Sequence, residues 1–217
     1  RFPRLTLLRP FGPLAHLGFH MAGFSDIVVD EGTVAAARSG DSLALGRIYE
    51  QCSAATYSLI RRLVRRAAVA EDLLQETFAD VIEHIGSFEG RAPLPMWIRS
   101  IAVRRSLMYL RSPWHRSLEW LEARPDIEPS SPGETAFVDH RSDLEQALMT
   151  LPAMARAVVW LHDVEGYTHG EIAEGLGRTA SFSKSQLSRA HARLRQALEA
   201  EVPRAEEATA CTPISTS

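Results

Sequence analysis

Two groups of side chains in this chain are of types that could do chemistry. His162, Asp163, His169 and Glu171 are close in sequence and offer the imidazoles and carboxylates that bind zinc or move protons. Their spacing suits neither role. No H-E-x-x-H run or cysteine–histidine pattern is present, and Thr168 opens a new helix between the two histidines. Nor does the chain carry a G-x-S-x-G elbow or a G-x-x-x-x-G-K phosphate cradle. The second group suits recognition rather than bond breaking. Lys184, Ser185, Gln186, Arg189 and Arg193 share one face of a helical pattern, and from Arg178 to Arg195 there are five Lys/Arg and no Asp/Glu. Such donors fit phosphates and base edges, a glutamine amide being able to read adenine. The expectation is a binding protein without a cofactor or metal, and not an enzyme.

Two short helices must hold that face. Thr168 and Glu171 form a Thr-x-x-Glu capping box, with Tyr167 and Ile172 placed as a hydrophobic staple around it. Ile172, Ala173 and Leu176 give an apolar face, and Gly177 stands where a left-handed C-cap is wanted. The signature repeats downstream, with Ser183 and Gln186 as a second capping box, Phe182 and Leu187 as a second staple, and Leu187, Ala190 and Leu194 as one stripe. Helix, small-residue turn and helix with a basic outer face form the pattern of a helix-turn-helix, whose second helix enters the major groove. The alternative is an ordinary helical hairpin with a solvated basic face.

The remainder of the chain reads as helical, with no convincing strand and no internal repeat. Its 217 residues, 45% hydrophobic and 24% charged with a net charge of −3, allow one or two small globular domains. The charge argues against a uniform nucleic-acid coat but not against local basic patches. The only cysteines, Cys52 and Cys211, support no disulfide framework and fit a reducing cytosol. No apolar run of about 18 residues predicts a membrane span. Residues 1–25 read as a leader, with the chain's start expected at Met21. A helix is expected over Phe24–Ser39, and a second, capped by Asp41-Ser42, running to Arg66 with Arg61, Arg62, Arg65 and Arg66 at its basic end.

Between Ala70 and Gly90 lie six Asp/Glu and no Lys or Arg, on a helix with the stripe Leu73, Leu74, Phe78, Val81, Ile82 and Ile85. Glu71 and Asp72, with Gln75 a turn later, make a compact acidic surface able to meet a basic partner. The helix over Leu94–Arg111 answers with Arg99, Arg104, Arg105 and Arg111, and no acid occurs from Trp97 to Arg116. Two macromolecular surfaces on one small domain is the economical reading; mutual neutralisation of the two helices is the rival. Proline- and serine-rich residues 112–140 read as a linker, 141–151 and 153–163 as two helices, and 200–217 as a disordered polar tail.

Taken together, AEDLLQETF at 70–78, the W-I-x-x-I-A run at 97–102, and the long block at 151–198 resemble the extracytoplasmic-function (ECF, group 4) sigma factors of the bacterial sigma-70 family. The resemblance implies an all-α chain of two helical domains, a sigma-2 bundle over 26–111 and a sigma-4 helix-turn-helix over 141–199, joined by a flexible linker. It further implies that Glu71, Asp72, Gln75 and Glu76 dock on the β′ clamp of core RNA polymerase. Arg91, Arg99, Arg104, Arg105 and Arg111 would serve the −10 element, where strand opening needs positive charge and a pocket for a splayed base. Ser183, Lys184, Ser185, Gln186, Arg189 and Arg193 would serve the −35 element in duplex DNA, with the β flap nearby and the linker in the RNA exit path. The partners so implied are core polymerase, promoter DNA and an anti-sigma factor, in the cytoplasm and with no membrane.

The chain departs from the family pattern at several positions. Arg104 stands where the family usually has Asn, Met108 where Asp is frequent, Phe182-Ser183 where Thr-Val is favoured, Gln186 where Arg is common, and Val69 where an acid is usual. The main rival reading is an operator-binding helix-turn-helix regulator that never joins polymerase; it leaves residues 70–111 without a role.

Overall fold

The computed structural model of the 217-residue chain describes residues 23–113 and 147–209, with side chains described to residue 197. Every regular element among the described residues is helical. Residues 1–22 of the expected leader, most of the 112–140 linker, residues 141–146 and the last part of the tail lie outside them, as do Met21 and Cys211, whereas Phe24, inside the expected leader, is buried in the core.

The first unit begins with α1, Glu31–Arg38, whose N-cap Asp30 accepts from the Thr33 backbone at 2.8 Å and its hydroxyl at 2.6 Å. That cap starts the helix later than the expected Phe24. Gly40, at φ +87°, reverses the chain, and Asp41 then caps α2, Ser42–Val64, as the sequence predicts. The expected run to Arg66 stops short because Arg65 takes φ +59°, a left-handed value that breaks the helix. The next helix, α3, covers Ala67–His84 and tightens into a 3-10 turn over Ile85–Ser87; α4 covers Leu94–Arg111 with Pro95 in its first turn, where a missing N–H costs nothing. Helices α2, α3 and α4 pack on one another around Ile48, Cys52, Phe78, Val81, Ile98 and Ile101. Burial pushes the Cys52 thiol up to about 11, so it behaves as a small apolar side chain.

The second unit contains α5, Ala153–Val159, which loosens into a π turn over Trp160–Val164, then α6, His169–Leu176, and α7, Ala180–Thr209. Three expectations need correction. Residues 153–163 are not one regular α-helix, since the ladder widens at Trp160. The second capping box does not form: α7 starts at Ala180, the Thr179 hydroxyl accepts from the Phe182 backbone at 3.2 Å, and Ser183 lies inside the helix. The same helix runs on to Thr209, past the boundary expected at 200.

The two units share a core. Leu59, Ile60, Leu63, Leu107 and Leu110 of the first join Ala157, Val158, Leu161, Ile172 and Leu176 of the second in one buried cluster. Arg156, only 2% exposed, crosses the seam and donates to the carbonyls of Arg62 (2.9 Å) and Leu63 (3.3 Å) as well as Leu151 (3.1 Å). Those first two carbonyls belong to the last turn of α2, which has no intrahelical donors for them, so a cation there satisfies both hydrogen bonding and the helix dipole. Gly175 of α6 lies against α4 so closely that a Cβ there would collide with Leu107 Cδ1.

Candidate nucleic-acid interface

The acidic face is where the sequence places it. Glu71, Asp72, Gln75 and Glu76 are all exposed on the first half of α3. Ile82 further along α3 and Tyr49 of α2 are exposed apolar neighbours, at 58% and 46%, with the Tyr49 ring edge-on to Phe78. Asp80 is different: it is buried and accepts from Arg105 at 2.8 and 2.5 Å and from Arg104 at 3.1 Å. The Arg105 hydrogen bond, with the Arg104 and Arg105 charges behind it, holds the Asp80 carboxyl below its ordinary value against the opposing effect of burial. Arg105 also reaches Glu76 at 3.2 Å. Asp80, Glu83 and His84 offer ligand atoms within 4.8 Å of one another, but both Asp80 oxygens are engaged by guanidinium, and the trio carries no metal assignment.

The five arginines assigned to the −10 element are not equally presented. Arg91 is exposed in the α3–α4 loop and paired with Glu89, and Arg111 is exposed at the end of α4, close to the Gly177 turn. Arg104 and Arg105 face α3. Arg99 faces the second unit: its Nε donates to Glu165 Oε2 at 2.6 Å, its NH2 to the Glu165 carbonyl at 3.1 Å, and its guanidinium lies 5.2 Å from the centre of the Tyr167 ring. Burial opposes the Arg99 charge, and the Glu165 carboxylate, Tyr167 and the hydrogen bond to Glu165 outweigh it, so the pKa is raised. Glu165 is fixed from its other oxygen by Trp160 Nε1 at 3.0 Å. Tyr167, expected as a staple residue, thus forms part of this seam.

In the second unit the Thr168–Glu171 capping box is complete, with Thr168 N to Glu171 Oε2 at 2.8 Å and Glu171 N to Thr168 Oγ1 at 3.2 Å. Gly177 takes the expected left-handed C-cap at φ 62°. The turn delivers α7 with Lys184, Ser185, Arg189 and Arg193 exposed and Gln186 half-buried, while Leu187, Ala190 and Leu194 face the core. Ser183 leaves the −35 set: it is fully buried, and its hydroxyl bonds His169 Nδ1 at 3.0 Å.

Sequence reasoning missed a network behind this face. Asp163, 3% exposed, is bonded to His162 Nδ1 at 2.8 Å and to His191 Nε2 of α7 at 2.6 Å. The His162 ring stacks on His169 with centroids 4.3 Å apart. The suggestive histidines and aspartate do come together, with His191 added to them, while Glu171 is used as a cap. No local spacing could have linked His191 to Asp163, 28 residues away.

Comparison with known proteins decides the family. The Sigma-70 region 2 family matches residues 48–116, and the Sigma-70, region 4 family matches residues 141–194. ECF RNA polymerase sigma factor SigM of Mycobacterium tuberculosis is 31% identical over 169 residues, covering 78% of this chain and 84% of its own. The chain belongs to the ECF RNA polymerase sigma factors. RNA polymerase sigma factor CarQ of Myxococcus xanthus is 30% identical, with 77% of this chain and 98% of CarQ covered. Among solved structures, the sigma factor RpoE of Bartonella quintana, in complex with the anti-sigma factor NepR, is 24% identical, with TM-score 0.45 and 71% and 96% of the two chains covered. In this sigma factor region 2 takes in most of α2 with α3 and α4, and region 4 takes in α5, α6 and the exposed basic part of α7. Among the described residues no helix is long and apolar enough to cross a membrane.

Proposed function

We propose that this sigma factor joins core RNA polymerase in the cytoplasm, brings it to promoters, and catalyses no reaction of its own. Glu71, Asp72, Gln75 and Glu76 form the polymerase contact, with Tyr49 and Ile82 as its apolar border. Arg91 and Arg111, joined by Arg99 once its pair with Glu165 opens, hold the opened −10 strand. Lys184, Ser185, Gln186, Arg189 and Arg193 read the −35 duplex.

The observation that carries this reading is the pairing of an exposed acidic helix face in region 2 with a basic, acid-free helix face on a capped helix-turn-helix in region 4. A regulator that only bound duplex DNA would have no use for the first. The test is in vitro transcription from fragmented genomic DNA with sigma-free core polymerase, mapping RNA 5′ ends with and without this protein. New starts sharing two upstream elements at fixed spacing are expected. No new starts, together with tight duplex binding in the absence of polymerase, would instead make the protein an operator-binding regulator. An anti-sigma protein is the further partner proposed; co-purification from cells, followed by loss of transcription when the co-purified protein is added back, tests it.

A further inference from the structure

Beside the residues that face the base edges, an open groove of about 430 Å³ runs between the start of α6 and one flank of α7. Its polar lining is His169 from α6 and Lys184, Ser188, His191 and Arg195 from α7. Every one of these is a donor or can become one, and no carboxylate lines the groove.

The two histidines are held by what lies behind them. His169 Nδ1 is committed to the buried Ser183 hydroxyl, and His191 Nε2 to the buried Asp163 carboxylate, itself steadied by His162. In each ring the second nitrogen remains as the site for a further proton. We infer that this groove takes a DNA-backbone phosphate and takes up a proton as it does so, which makes upstream promoter binding tighten as pH falls. The inference rests on region 4 reading duplex DNA.

The charges facing His169 from each neighbouring element fix the sign. Asp163 and His162 stand behind it on the π turn, and Lys184 and His191 beside it on α7, with Arg195 at the far end of the groove. In the free protein, burial together with the His162 and Lys184 charges lowers the His169 pKa, and Asp163 only partly opposes them. A phosphate entering the groove adds negative charge next to the imidazoles, offsets Lys184, and favours the protonated form. By linkage, each proton taken up strengthens binding up to about tenfold per pH unit across the histidine range. The fixed charges of Lys184 and Arg195 supply binding that does not depend on pH.

The experiment uses holoenzyme, full chain plus core polymerase, on a fluorescent promoter duplex from the start-site mapping. Affinity is measured from about pH 6 to about pH 8, the range in which histidine titrates, at constant ionic strength. His169→Asn keeps a donor at the Nδ1 position and His191→Gln keeps one at Nε2, so both variants preserve the inner hydrogen bonds while removing the titration; thermal melts confirm that they fold. Calorimetry in two buffers of different ionisation enthalpy counts protons on the wild type without any variant. Affinity rising several-fold per unit of acidification, net proton uptake, and a flattened profile in the double variant are expected. A flat wild-type profile with transcription intact, or a pH dependence surviving in the double variant, would overturn the inference. Absence of promoter binding and transcription at every pH would overturn the promoter-reading assignment, and the inference with it.

Discussion

Glu165→Gln breaks the charged tie between region 2 and region 4, and its cost can be worked from the geometry. The Arg99 and Glu165 side chains are 12% and 15% exposed, so the value of about 0.2–1 kcal/mol for solvated pairs does not apply. Removing one partner of a buried pair costs about 3–5 kcal/mol, because the other charge is left behind in a desolvated place. The amide keeps the volume and an acceptor for Trp160 Nε1, and Arg99 keeps the Glu165 carbonyl at 3.1 Å, so the lower end, about 3 kcal/mol, is expected. At about 1.4 kcal/mol per factor of ten, that shifts the ratio of packed to separated units roughly a hundredfold.

The loss can appear in two ways, and the assays separate them. If the units come apart without unfolding, small-angle scattering shows a larger radius of gyration, and single-stranded −10 DNA binds more tightly because Arg99 is released. If they unfold together, the urea midpoint falls with no change in scattering beforehand. Arg99→Met, Glu165→Gln and the double variant make a thermodynamic cycle with an expected coupling of at least about 2 kcal/mol, within the range for groups in direct contact. A coupling below about 0.5 kcal/mol with unchanged scattering would refute the reasoning and make the pair a bystander to apolar packing.

Other substitutions test the remaining links. Gly175→Ala gains up to about 1 kcal/mol of helix propensity but drives a methyl into Leu107; Gly175→Val is expected to cost about 1–3 kcal/mol and to enlarge the particle, read by melting and scattering together. Asp80→Asn removes the buried carboxylate charge that Arg104 and Arg105 share and should cost up to about 3 kcal/mol at neutral pH. Since the folded Asp80 pKa is lowered, its stabilisation is present above the ordinary value of 3.8 and lost as pH falls through the folded one, so wild-type and variant urea curves should converge in acid. Arg104→Asn leaves Arg105 on both Asp80 oxygens and should cost no more than about 1 kcal/mol; start-site mapping then shows whether the −10 base preference moves. Thr168→Ala removes half of the capping box and should lower stability by about 1 kcal/mol in urea melts.

What was legible in the sequence is what depends on neighbours within a few positions. The Thr168–Glu171 box, the Gly177 C-cap and the Asp41 cap rest on hydrogen bonds between near neighbours, and all three form. The exposed acids at 71–76 and the basic face of α7 follow from helical periodicity. The failures have an equally local or a wholly remote origin. Ser183 and Gln186 fit a capping template, but Thr179 offered an earlier start and the buried Ser183 hydroxyl is engaged by His169, so the helix began a turn sooner. The Arg99–Glu165, Arg156–Arg62 and His191–Asp163 contacts join residues 66, 94 and 28 positions apart, and no periodicity encodes them.

The acid-rich and arginine-rich helices show how the two readings of a charge pattern can both hold. Asp80 points at α4, where Arg104 and Arg105 meet it, and is neutralised inside the unit, while Glu76 one turn earlier is reached by Arg105 and stays exposed. Glu71, Asp72 and Gln75 lie on the exposed side of the same helix, and Arg91 and Arg111 lie beyond the ends of the seam. Arg104, the residue that departs from the family's usual asparagine, is therefore not a stray charge at a base pocket but the second guanidinium on a buried carboxylate. A buried Asp80 with a single arginine would already be satisfied, so Arg104 can change partners at a smaller cost than Arg105.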